Sequence, residues 1–149
     1  MSTWLLTWNQ EKWGWNTDLY GYEELINDIK QVGFAYCKWT CGVNKSIKAG
    51  DRVFLIKLGQ YPKGIVASGF AASGVFEGTH WDLERKLASK KARRIVVRFD
   101  KIKNYNSESF LDFQSLENIS NSYCWSPQSS GVSIPDEIAE KLELEWRKV

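Results

Sequence analysis

A mixed α+β fold, a small β-barrel flanked by helices, is what this sequence predicts. The order of elements carries most of that expectation: a strand, a helix, a run of strands and a closing helix suit a barrel plugged or flanked by helices, and not a doubly wound sheet. The length, 149 residues, is that of one ordinary domain spanning 1–149. The composition, 43% hydrophobic and 26% charged, is that of a chain that folds around its own core.

The elements follow in order. Trp4-Leu5-Leu6-Thr7-Trp8 is a short apolar strand, broken from Asn9 to Asn16 by polar residues and a glycine. Thr17 or Asp18 caps a helix through Tyr22, Leu25, Ile26 and Ile29, which are apolar at helical spacing, and Gly33 ends it. Phe34 to Trp39 is extended, and Ile47 to Asp51 turns into Arg52–Leu58, the strongest strand signal and therefore a central strand. Tyr61 to Gly64 turns again into Ile65–Ser73, a strand of small residues suited to close packing. Asp82 to Arg93 is dense in charge with almost no apolar face, which predicts an exposed loop or a frayed helix. Ile95–Ile102 is the next strand, followed by a polar link with a short helix around Leu111 to Leu116. Val132–Ile134 is a last strand, and Pro135 opens a helix over Asp136–Trp146 with acidic residues in its first turn, where the helix dipole favours them.

Most function classes are excluded for lack of parts. No run approaches the roughly 20 apolar residues of a membrane span, and the N-terminus lacks a basic region followed by an apolar stretch, so a cytoplasmic location without membrane contact is expected. Cys37, Cys41 and Cys124 are an odd set, which suits free thiols in a reducing compartment. Cys37 and Cys41 lack a matching second pair for zinc, even with Cys124 and the single histidine, His80, added. One histidine also leaves little for a nucleophile–base pair. Neither a phosphate-cradling Gly-x-x-x-x-Gly-Lys motif nor a Gly-x-Gly-x-x-Gly turn is present, and Glu23-Glu24 lies on a solvated helix face. The sequence predicts no catalytic residue, no metal and no cofactor: a binding module rather than an enzyme.

The compositional oddity is eight tryptophans, far more than a core of this size needs. Three loop-like segments set a ring beside small polar groups, the mixture that sandwiches a base and reads its edge. These are Trp8-Asn9; Trp39, Thr40 and Cys41 with Asn44 and Ser46; and Trp125 with Gln128, Ser129 and Ser130. Trp4, Trp146 and one of Trp13 or Trp15 read as packing, and Trp81 has no assignment. The net charge of +2 is small, so phosphate contacts must come from local clusters. The candidates are Lys45, Lys48, Arg85, Lys86, Lys90, Lys91, Arg93 and Arg94.

The runs Trp4-Leu5-Leu6-Thr7-Trp8-Asn9, Ile47 to Leu55 with its Gly50-Asp51, and Pro62-Lys63-Gly64-Ile65-Val66-Ala67-Ser68-Gly69 resemble the EVE domain of the PUA-like superfamily, and Trp125 to Pro135 resembles the family's last loop and strand. The resemblance is closest to EVE-like domains of bacterial systems that restrict modified DNA. It implies a small barrel related to the YTH readers of methylated adenine, with Trp39 as one wall of an aromatic pocket into which a base is flipped, and with Trp8, Asn9 and the Gln128-Ser129-Ser130 loop lining the rest. The implied partner is DNA carrying a methylated or hydroxymethylated base, with a fused or associated nuclease. An RNA-binding PUA-like module is the alternative. After the first strand, Thr7-Trp8-Asn9 departs from the Lys-Ser-Glu-Pro run usual in standalone members.

Overall fold

The computed structural model describes residues 2–9, 22–79 and 91–149. Its centre is a mixed sheet. Strands β1 (Thr3–Asn9), β2 (Ala35–Thr40), β3 (Arg52–Leu58), β4 (Gly64–Ala71), β6 (Lys91–Ile102) and β8 (Val132–Ile134) lie in the order β2-β6-β4-β3-β1-β8. The short β5 (Phe76–Thr79) pairs with the first half of β6, and β7 (Leu111–Asp112) pairs with the start of β4. Among the described strands only β1 and β3 run parallel; the helix and strand between them supply the crossover that a parallel pair requires. Three helices complete the described chain: α1 (Tyr22–Val32), α2 (Phe113–Ile119) and α3 (Asp136–Trp146).

The α+β class stands as the sequence predicts, but the sheet does not close into a barrel. Among the described residues no ladder joins its two ends, β2 and β8. Loops and side chains bridge that gap instead, and they build the site described below.

Two apolar clusters sit on opposite faces. Leu6, Val53, Leu55, Ile95, Val97 and Phe99 point to one side with Leu25 and Ile26 of α1. Leu5, Phe54, Ile56 and Ile65 point to the other, under Leu116 of α2 and Leu142 and Trp146 of α3. Successive residues of β3 feed alternate clusters, so the strand is buried on both faces and reads as a continuous apolar run.

The strand carries two charges, Arg52 at its start and Lys57 near its end, and Lys57 is fully buried. Its ammonium donates to the carbonyls of Gln60 and Pro62 at 2.9 and 2.8 Å and lies 4.7 Å from the Tyr105 ring, so its donors are met. Burial, aided by Lys63, holds its pKa below the ordinary lysine value.

Arg52 ties the second cluster to the sheet. Its guanidinium pairs with Asp100 of β6 at 2.9 Å and Glu143 of α3 at 3.1 Å, and it stacks over Phe54 and Phe70. Asp100 also accepts from Ser68 Oγ at 2.6 Å, and Ser68 Oγ accepts from the Trp146 indole at 2.8 Å. One polar chain thus fixes α3 against β3, β4 and β6. Trp146 is packing, as the sequence predicts.

Elsewhere the structure differs from the sequence reading. The charged stretch does not stay a loop to Arg93: Lys91 to Arg94 already belong to β6, hydrogen-bonded to β5 on one side and, at Arg94, to β2 on the other. Pairing explains it: β5 satisfies the backbone of Lys91 to Arg94, which a reading of side-chain pattern alone does not reveal. β5 is an element the sequence did not announce. The helix expected around Leu111 to Leu116 starts at Phe113, where Asp112 caps it by accepting from the Ser115 amide at 2.9 Å, and Leu111 is left to the sheet. Trp13, Trp15, Thr17, Asp18, His80 and Trp81 lie outside the described residues.

Candidate functional site

Where β2 and β8 fail to pair, two loops meet. Residues 41–47 follow β2, residues 128–131 precede β8, and both reach the side of β1. A backbone contact fixes their distance. Gly131 (φ +86°) lies so close to Cys41 that a Cβ there would stand 2.6 Å from the Cys41 carbonyl oxygen. Its amide donates to the Leu5 carbonyl at 2.9 Å, and its carbonyl accepts from the Asn44 side-chain amide at 2.6 Å. Asn44 Oδ1 accepts from the amides of Ser46 and Ile47 at 2.6 and 3.2 Å, so this one side chain shapes its own loop and clamps the other. Gly131→Ala combines a left-handed backbone with a backbone clash and is expected to cost roughly 2–4 kcal/mol in urea unfolding.

Thr7 of β1 is the second junction. Its amide donates to Ser130 Oγ at 3.0 Å, and its carbonyl accepts from the Trp39 indole at 3.0 Å. The end of β1, the loop after Trp39 and the Ser129-Ser130 segment therefore converge.

Between the two loops lies an open cleft of about 380 Å³, lined by Trp4, Val43, Lys45, Ser46, Ser129 and Val132 together with Asn44, Ser130 and Gly131. That volume is at the small end of ligand sites. Its mouth carries Val43, 79% exposed. Its large ring is Trp4, which the sequence assigns to packing. The ring is half-buried, and its indole donates to Asp51 Oδ2 at 2.9 Å.

Asp51, of the Gly50-Asp51 pair, is the anchor beneath that ring. It also accepts from the Lys48 amide at 3.0 Å and the Ser2 amide at 3.4 Å. Burial alone would raise its pKa, but these hydrogen bonds, led by that of Trp4, outweigh burial and hold the carboxyl below its ordinary value. A carboxyl that titrates lower in the folded chain contributes stability fully above its unfolded value of about 3.9 and loses it as pH falls through the folded value. The gap in melting temperature between wild type and Asp51→Asn is therefore expected to be widest near neutral pH and to shrink below about pH 4. A gap unchanged down to pH 3 contradicts this role.

The other sequence-predicted site residues are placed as follows. Trp39 is 2% exposed and stands behind the cleft among the first apolar cluster, joined there by Cys41, whose thiol burial pushes above its ordinary pKa against the opposing pull of Arg93. Thr40 is half-buried at the end of β2, opposite Arg94. Trp8 is 3% exposed and stacks on Tyr22 at 5.4 Å, with Tyr105 at its edge, and Asn9 follows it half-buried. Trp125 lies in the other cluster, its indole donating to the Ser120 carbonyl at 2.9 Å, with Tyr123 packed across it. Gln128 is exposed. The structure thus gathers Asn44, Ser46, Ser129 and Ser130 on one surface, sets Trp39 and Cys41 behind it, and leaves Trp125 on the opposite face of the sheet.

Of the basic candidates, Lys45 lines the cleft and Lys48 is exposed beside it. Arg93 and Arg94 are half-buried on β6 next to the same loop, the Cys41 amide donating to the Arg93 carbonyl at 3.0 Å. Arg85, Lys86 and Lys90 lie outside the described residues, and of Lys91 only the backbone is described. Among the described residues no three His, Cys, Asp or Glu side chains gather as metal ligands, and no helix is long and apolar enough to cross a membrane.

No protein-family model matches the sequence, and no curated protein matches it. Solved structures do share the architecture. A protein from Leishmania major superposes with a TM-score of 0.66 at 11% identity, over 99% of this chain and 96% of that one. Human THYN1 protein, solved in complex with 5-methylcytosine containing DNA, superposes with a TM-score of 0.65 at 15% identity, over 97% of this chain and 98% of that one. The fold is EVE-like. A Pseudomonas syringae protein gives a TM-score of 0.60 at 15% identity over 96% of this chain and 99% of that one. At these identities the likeness is one of architecture. Within the EVE-like frame the junction of β1, the Trp39 loop and the loop before β8 is held by contacts far apart in sequence, such as Asn44 to Gly131.

Proposed function

We propose that this chain binds DNA and reads a modified base in the cleft between residues 43–46 and 129–132. The observation that carries the reading is the match, over nearly the whole chain, to a fold that human THYN1 uses in a complex with 5-methylcytosine containing DNA. The chemistry of the cleft supports it. An indole, a lysine and three serine side chains line a space of about 380 Å³ whose two loops Asn44 clamps together, a combination that offers a stacking surface, edge hydrogen bonds and a counter-charge. In this reading Trp4 presents the ring and Trp39 sets the walls by holding Thr7.

Extruding a base costs a few kcal/mol, and stacking returns about 1–3 kcal/mol per ring. A methyl group buried in the cleft adds roughly 0.8 kcal/mol, about fourfold in affinity, so discrimination by this module is modest. Such a reader suits a targeting role in a modification-dependent restriction system, with cutting done by a fused or associated nuclease.

The test is titration of the chain against a duplex carrying one 5-methylcytosine and against its unmodified counterpart. Tighter binding of the modified duplex, abolished by Ser46→Trp, which fills the cleft from an exposed position, is the expected result. Equal affinity for both duplexes sinks the base-reading role, and a preference for RNA of equal length and salt replaces DNA as the partner.

A further inference from the structure

The two faces of the sheet are not equally covered. On the side that carries Phe54 and Ile65, α2 and α3 cover β1, β3 and β4. Further along that same side, over β6 and β2, no described helix packs, and the Arg52–Asp100–Glu143 network marks the border. The positions on this side are cross-strand pairs: Tyr36 opposite Arg98, Lys38 opposite Val96, and Thr40 opposite Arg94, of which Tyr36, Lys38 and Arg98 are exposed and the other three half-buried. Their neighbours in sequence, Ala35, Trp39, Ile95, Val97 and Phe99, are buried on the other side.

These six positions hold three cations and no carboxylate. Lys38 and Arg98 are exposed and make no ion pair among the described residues. The Arg98 guanidinium lies 4.4 Å from the Phe34 ring, which meets Tyr36 edge-on at 5.6 Å, and Tyr36 is 50% exposed. Asp100, two residues along β6, is already bound by Arg52 and Ser68. The face is therefore cationic, with an aromatic floor that holds one guanidinium in place.

From these observations, and resting on the DNA-binding reading above, we infer that the open face of β2 and β6 is a track for the sugar-phosphate backbone of the DNA whose base enters the cleft. Lys38 and Arg98 contact phosphates, and Tyr36 packs against the sugars. Continuity supports the assignment, because β2 runs past Lys38 to Thr40 and directly into the loop that carries Asn44 and Lys45 to the cleft. The four-residue step from Tyr36 to Thr40 covers roughly 13 Å, over which one strand of B-DNA presents about four phosphates. Contacts of this kind position the duplex and carry no sequence or modification preference.

The experiment compares the wild type with Lys38→Gln/Arg98→Gln against the two duplexes above, between about 50 and 200 mM salt. The double variant is expected to bind both duplexes more weakly by the same factor and to leave their affinity ratio unchanged. Its slope of log affinity on log salt falls by about 1.8, so that the salt rise weakens it roughly tenfold less than it weakens the wild type. Arg98→Lys keeps the charge and is expected to keep the slope, and melting temperatures confirm that each variant folds. A folded double variant with unchanged affinity and slope overturns the track, even where the wild type prefers the modified duplex. A flattened slope in a protein without that preference leaves the track standing while the cleft reading falls. No binding of either duplex by the wild type overturns both.

Discussion

Trp39→Ala is expected to cost about 3–5 kcal/mol of folding stability, the usual range for deleting a buried indole, and to lower the melting temperature by about 10 °C or more. The ring is 2% exposed, in the apolar cluster with Leu6, Val97 and Ile95, so its removal leaves a cavity that the surrounding strands cannot fill by collapse. It also leaves the Thr7 carbonyl without the indole donor. Because the Thr7 amide is bonded to Ser130 Oγ, the loss reaches the cleft wall, and DNA affinity is expected to fall along with stability. Trp39→Phe separates the two contributions: it keeps most of the apolar volume, gives up the donor and is expected to cost about 1–3 kcal/mol. Calorimetry and duplex titration of both variants check this. A Trp39→Ala protein that melts like the wild type yet no longer binds DNA contradicts the packing role and makes the ring a ligand contact.

Arg52→Ala is expected to cost about 3–5 kcal/mol by urea unfolding, because it leaves two carboxylates without their cation. Asp100 and Glu143 keep about a third of their side-chain surface in water, so partial rehydration sets the effect at the lower end of that range. The stacking of the guanidinium over Phe54 and Phe70 goes with it. Arg52→Met, which restores apolar volume but no charge, isolates the electrostatic share. Arg52 stands on the α3 side of the sheet, so the folded fraction of either variant is expected to keep its preference for the modified duplex. A loss of that preference at full folding couples α3 to the cleft.

Much of the fold was legible locally. The short apolar strand of Trp4 to Trp8, the strand of Arg52–Leu58, the helical spacing through Leu25 and Ile29, and the Pro135 start of the last helix all reappear in the structure, because each is decided by near neighbours. The first half of β6 was not legible: Lys91 to Arg94 form a strand only because β5 and β2 supply partners on either side. Lys57 was equally hidden, since two carbonyls of the following turn make its burial tolerable.

The candidate site divides in the same way. Sequence chemistry picked out Asn44, Ser46, Ser129 and Ser130 as polar loop residues beside rings and Lys45 as a phosphate contact, and all five line one cleft. It could not rank the rings. Trp4, read as packing, does pack against the first cluster and also lines the cleft, whereas Trp39 and Trp8 are buried within that cluster and Trp125 belongs to the opposite one.

By itself, then, the sequence determined the class of fold, the central place of β3, the absence of familiar cofactor motifs and the polar, loop-like character of the segment around Asn44. Only the tertiary structure decided which of the described tryptophans lines the cleft, how the ends of β2 and β8 are joined without a ladder among the described residues, and that no described helix covers the face carrying Lys38 and Arg98. The reason is physical. Propensity and periodicity are set by residues a few positions apart, whereas the exposure of a ring depends on what packs over it, and here that is chain separated by dozens of residues, as Asn44 is from Gly131.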